Sequence, residues 1–139
     1  MVILKVGTTY MENLMSNIIR NALRTPDGTV LQSYSGHDYK THVDANGKTY
    51  MVDGGLEYCR RSIHEDQVDL TVTLDDDHNE VRKACSWGTR GPKGDQPLSY
   101  VQLRHMSTAH IEAVLDTQNR MYPQLRTAME NELDFRCIE

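Results

Sequence analysis

The stretch SWGTRGPKGDQP, residues 86–97, gathers three glycines, two prolines, Arg90, Lys93 and the chain's single tryptophan, Trp87. Glycines let backbone N–H groups converge on an anion, and the guanidinium and ammonium supply charge for it. An indole offers a flat face on which a purine stacks, worth ~1–3 kcal/mol per base. Shortly afterwards Arg104, His105 and Met106 lead into Ser107, an N-cap residue opening a helix whose first N–H groups suit a phosphate. Arg20 and Arg24 add two guanidinium groups able to grip phosphate through paired hydrogen bonds. Arg20, Arg24, Trp87, Thr89, Arg90, Lys93, Arg104, His105, Met106 and Ser107 are therefore the candidate ligand contacts.

Each has a plainer reading. A lone Trp commonly anchors a core, and two arginines near a helix C-terminus complement its dipole. Arg60 and Arg61 point to opposite faces of a strand, so at most one serves a given site. What favours binding is that indole, guanidinium, flexible backbone and helix start lie so close together in the chain.

Catalysis finds less material. Two-histidine phosphoesterases need a pair of H-x-[ST] motifs, and only HMS at 105–107 matches. G-x-S-x-G, the P-loop pattern and H-E-x-x-H do not occur. His105 and His110 fall on either side of a cap, poor geometry for a shared metal. His37, Asp38, His42 and Asp44 offer metal-ligand types, against which stands an ordinary polar turn. No catalytic residue, metal or cofactor is expected.

These residues sit in a chain of 139 with 38% hydrophobic content and a net charge of −5. One small α+β domain spanning 1–139 is expected, with surface left to bury in a homo-oligomer. The acidic balance argues against DNA, RNA or an anionic membrane as partner; a small anion must meet a local basic cluster. Cys59, Cys85 and Cys137 are odd in number and far apart, which fits reduced thiols. MVILKVGTTYMENLM lacks the layout of a signal peptide, and no run of 18 apolar residues occurs, so a soluble, unsecreted protein is expected.

The positioning elements follow from pattern. VILKV (2–6) reads as a short strand, and Thr9 and Glu12 as a capping box. Met11, Leu14, Met15, Ile18, Ile19, Ala22 and Leu23 then keep helical spacing until TPDG (25–28) ends the helix. Strands are expected at 29–35, at 41–43 and 48–53 around the hairpin signal DANG, at 56–63, and at 68–74. In that last strand Val68, Leu70, Val72 and Leu74 alternate inward. Asp75, Asp76 and Asp77 suit the start of a short helix ending near Cys85. A strand at 98–104 and helices from Ser107 to about Met121 and from Pro123 to about Phe135 complete an antiparallel sheet flanked by helices at both ends.

TTYMENLMSNIIRNALRTPDGT, HDYKTHVDANGKTYMVDGGLEYCRRS, CSWGTRGPKGDQPLSYV and STAHIEAVLDTQ together resemble a group of small proteins from bacteriophages and prophages. The chain is identified with the Thoeris anti-defence sponges of the first-described type. The resemblance implies capture, without cleavage, of cyclic ADP-ribose isomers made by TIR-domain enzymes, in the cytoplasm of the infected bacterium. It also implies cyclic di- or trinucleotides as further ligands, and dimers that assemble into hexamers. Two positions depart from the family pattern: Cys85 stands where an aromatic is common, and Pro92-Lys93 replaces Lys-Asn or Lys-Asp. A rival reading is an acidic inhibitor that docks DLTVTLDDDHNE on a host defence enzyme.

Overall fold

In the computed structural model, which describes residues 17–137, strands run as far as Thr73 and helices dominate thereafter. The architecture is α+β, with antiparallel sheets and three helices among the described residues. Contacts cluster in two compact units, one ending at Thr73 and one beginning at Leu74, where the sequence suggested a single domain.

In the first unit β1 (Ile18–Arg24) is the central strand. It pairs with β2 (Val30–Ser33) on one side, and with β6 (Val68–Asp69) and β7 (Val72–Thr73) on the other, all antiparallel. This corrects the expected helix over its second half; the part before residue 17, like the strand at 2–6, lies outside the described residues. The reason is physical. Ile18, Ile19, Ala22 and Leu23 satisfy helical spacing, yet a strand covered on both faces buries the same residues, and β-branched isoleucines favour it. Asn21 is buried too, which a helix with a polar face did not anticipate.

The DANG hairpin forms as read. β3 (Lys40–Val43) pairs with β4 (Thr49–Asp53), and Gly47 takes the φ of +80° that the turn requires. β5 (Arg60–Arg61) is all that remains of the strand expected at 56–63, because Gly54 and Gly55 at positive φ send the chain into turns. The alternating strand at 68–74 also breaks. Asp69 Oδ1 accepts from Thr71 N at 2.9 Å, splitting it into β6 and β7, and Val68 is exposed while Val72 is buried. Leu23, Leu31, Tyr50 and Val52 form this unit's apolar core.

The second unit starts with α1 (His78–Ala84), capped by Asp77, whose carboxylate accepts from Asn79 N at 2.8 Å. β8 (Ser86–Thr89) and β9 (Ser99–Gln102) make a two-stranded ribbon, so the expected loop at 86–97 is strand for its first four residues. A 3₁₀ turn (Leu103–His105) leads to α2 (Thr108–Thr117), which is shorter than expected, and α3 (Pro123–Cys137) follows. Val81, Cys85, Leu103, Ile111 and Met129 fill the core, together with one charged group, Glu132.

Candidate functional site

A cleft of about 540 Å³ opens where the ribbon meets the start of α2. Thr89, Gly91, Pro92 and Val101 line it from the ribbon and its loop. His105, Met106, Ser107 and His110 line it from the 3₁₀ turn and the first turn of α2. Four of the ten candidate contacts, Thr89, His105, Met106 and Ser107, thus share one wall system.

Local geometry explains the shape. Thr89 ends β8 and accepts from Gly91 N at 3.2 Å, which turns the chain out of the strand. Gly91 has φ +84°, and the Gln96 side chain fills the space a Cβ would need, 2.6 Å away. Gln96 N donates to Arg90 O at 2.9 Å and Gly94 N to Gly91 O at 3.1 Å, closing the loop on itself. The expected nest of glycine N–H groups is corrected here: Gly91 and Gly94 use their donors inside the loop. Opposite, Ser107 caps α2 by accepting from His110 N at 3.1 Å. That leaves the N–H groups of Thr108 and Ala109 without acceptors inside the helix.

The polar side chains in this lining and next to it in the chain are mostly uncommitted. Neither imidazole, His105 nor His110, has a side-chain hydrogen bond among the described residues. His105 is exposed and His110 half-buried. Arg90 and Lys93 project from the exposed loop with no ion pair among the described residues. Arg104 is exposed too and lies back along the ribbon, Nε donating to Gln102 Oε1 at 2.6 Å. Met106 is buried and contributes an apolar wall.

The remaining candidates fall elsewhere. Trp87 is half-buried on β8 opposite Val101, on the face shared with Thr89, but it is not part of the cleft lining. Leu98 and Tyr100 cover the other face, each 3.3 Å from where a Cβ on Gly88 would sit. Arg20 and Arg24 belong to the first unit, on a strand, so neither complements a helix end. Arg20 Nε donates to Leu70 O at 2.9 Å, and Arg24 is exposed at the end of β1. Sequence reasoning set His110 aside as a metal ligand; its place three residues after the cap is the signal that puts it beside Ser107.

The proposed metal-ligand types do not converge. His42 Nε2 lies 2.7 Å from Asp27 Oδ2, His37 contacts Tyr58, and Asp44 receives Asn46 N and Lys48 N in the hairpin turn. Among the described residues no three His, Cys, Asp or Glu side chains are grouped to hold a metal. Cys85 is no nucleophile either: burial, and then the charge of Glu132, push its thiol up to about 12. Cys59 is likewise raised by burial, against the opposing pull of Arg61. Compared with known proteins, the chain matches no family model, no curated protein and no solved structure.

Proposed function

We propose that this protein binds and sequesters a small cyclic nucleotide immune signal, a cyclic ADP-ribose isomer first of all, without cleaving it. The observation that carries the reading is the cleft's chemistry: two uncommitted imidazoles beside the Ser107-capped start of α2, with Arg90 and Arg104 adjacent in the chain to its lining. That set suits a compact anion. Thr89 and Ser107 hydroxyls add hydrogen bonding, and Val101 and Met106 give apolar surface for a base or ribose. The phage-protein resemblance supports the same ligand class and, with it, action in the cytoplasm of an infected cell.

Homo-oligomerisation, through dimers to a hexamer, belongs to this proposal. Apolar side chains are left for such contacts, Ile63 being 95% exposed and Tyr39 and Val43 each 58%. No described helix is long and apolar enough to cross a membrane. The acidic-inhibitor reading has less to stand on. Asp69 is bound to Arg61 and Thr71, and Asp77 caps α1, so part of that run is engaged in the fold.

Sequestration of a scarce signal requires Kd near nanomolar, about −12 kcal/mol. The test is to load the protein with cyclic ADP-ribose isomers and cyclic dinucleotides, remove the excess, heat it, and weigh what is released. Chemically unchanged ligand is expected at every incubation time. Hydrolysed product accumulating with time would make the protein an enzyme, and no release of any candidate would end the sponge reading.

A further inference from the structure

The cleft's lower lip, residues 103–108, is held from behind by a side chain that does not reach the cleft. Arg136, near the end of α3, donates from Nη2 to Met106 O at 2.8 Å and to Leu103 O at 3.3 Å. Its Nη1 donates to Thr108 Oγ1 at 3.0 Å, and its Nε to Glu132 Oε2 at 2.7 Å. One planar guanidinium therefore spans the 3₁₀ turn, the backbone just before the Ser107 cap, and the first residue of α2. Leu103 O also accepts from Met106 N at 3.1 Å, so Arg136 braces the 3₁₀ turn at a carbonyl that closes it. Glu132 is wholly buried and fixes the angle of the fork, because Arg82 and His78 hold the same carboxylate.

We infer that Arg136 is a positioning residue for the cleft: it sets where His105, Met106 and Ser107 stand, and so how tightly the ligand is held. This rests on the proposed binding function, deepening it by one residue on an element that contributes nothing to the lining. A rigid fork matters more than charge here, as carbonyl oxygens at fixed spacing need two or more donors in one plane. Lysine keeps the charge and loses that geometry.

The experiment compares Arg136→Lys with Arg82→Lys. Both loosen Glu132; Arg82 grips that carboxylate from α1, through Nε at 2.9 Å and Nη2 at 2.8 Å, and serves as the control for a general loss of packing. Two readouts are taken: affinity for cyclic ADP-ribose, and amide hydrogen exchange at Met106 and His110. With Arg136→Lys, affinity is expected to fall about tenfold, and exchange at both amides to speed up by about tenfold, the worth of one charge-assisted contact. Arg82→Lys is expected to leave both within about twofold of the parent while lowering thermal stability. Equal effects from the two variants, or unchanged exchange in Arg136→Lys, would overturn the inference. If the parent protein binds no cyclic nucleotide, the functional reading fails while the exchange arm still decides the role of Arg136.

Discussion

Glu132→Gln is expected to lower the free energy of unfolding by about 3–5 kcal/mol, and the melting temperature by about 10 °C or more. The carboxylate is 0% exposed and accepts four hydrogen bonds. They come from His78 Nε2 at 2.9 Å, Arg82 Nε at 2.9 Å, Arg82 Nη2 at 2.8 Å and Arg136 Nε at 2.7 Å. Neutralising it leaves two partly buried guanidinium groups facing each other without a counter-charge, which costs more than the pair itself contributes. The same group makes stability depend on pH. Burial by itself would raise its pKa, but hydrogen bonds from Arg82, His78 and Arg136 outweigh burial and hold it at about 2, below the usual 4.5. A depressed carboxylate stabilises fully above its unfolded value and loses that contribution as pH falls through the folded one. Between pH 5 and 2 the parent should therefore lose on the order of 3 kcal/mol from this residue. Urea melts across that range check it. A variant that loses less than about 1 kcal/mol at pH 7, the size of a surface pair, would show that the cluster is not what holds α1 against α3.

Gly55→Ala should be comparably damaging, for a reason that involves no charge. Gly55 has φ +51°, and an added Cβ would lie 2.4 Å from Ser35 N, 2.6 Å from its Cα and 2.7 Å from its carbonyl carbon. All three are backbone atoms, so no rotamer change relieves the clash. The segment is also tied at both ends of the residue. Gly55 N donates to Ser33 Oγ at 2.8 Å, and Gly55 O accepts from the buried Asn21 Nδ2 at 3.2 Å. Moving the backbone aside therefore breaks hydrogen bonds that join β1, β2 and the turn after β4. A loss of about 3 kcal/mol or more is expected. Gly47→Ala is the control: φ is +80° but nothing lies within 4 Å, so only the conformational cost of about 1 kcal/mol applies. Denaturant melts giving equal losses for the two would contradict this account.

How far the sequence revealed this arrangement depends on the range over which each feature is set. DANG fixes its own turn, so β3 and β4 were readable, as was the cap at Ser107, whose partner is three residues away. Residues 18–24 misled because periodicity alone does not separate a strand buried on both faces from a helix; the deciding partners, β2, β6 and β7, are distant in the chain. Asp69 broke an alternating strand by a two-residue contact that competes with pairing. Glu132 was invisible as a core group. Its spacing to Arg136 suggests a surface pair on a helix, and Arg82 and His78 meet it only through the packing of α1 on α3. That Thr89, His105, Met106 and Ser107 gather round one cleft was legible because β8, β9 and α2 are near neighbours in sequence. Trp87, open to reading as a stacking face or a core anchor, stands half-buried opposite Val101 and outside the cleft lining, a placement that depends on strand pairing.

The central claim, a cleft at 89–110 that captures a cyclic nucleotide, is tested most directly by titrating cyclic ADP-ribose isomers into histidine-labelled protein, parent and Arg90→Ala, and following the imidazole resonances. The account predicts saturable shifts at His105 and His110, with His37, His42 and His64 unmoved. In Arg90→Ala the same shifts should need about tenfold more ligand, with the melting temperature unchanged because this arginine is exposed in its loop. No shift at His105 and His110 with any isomer, or saturable shifts confined to the first unit, would contradict it.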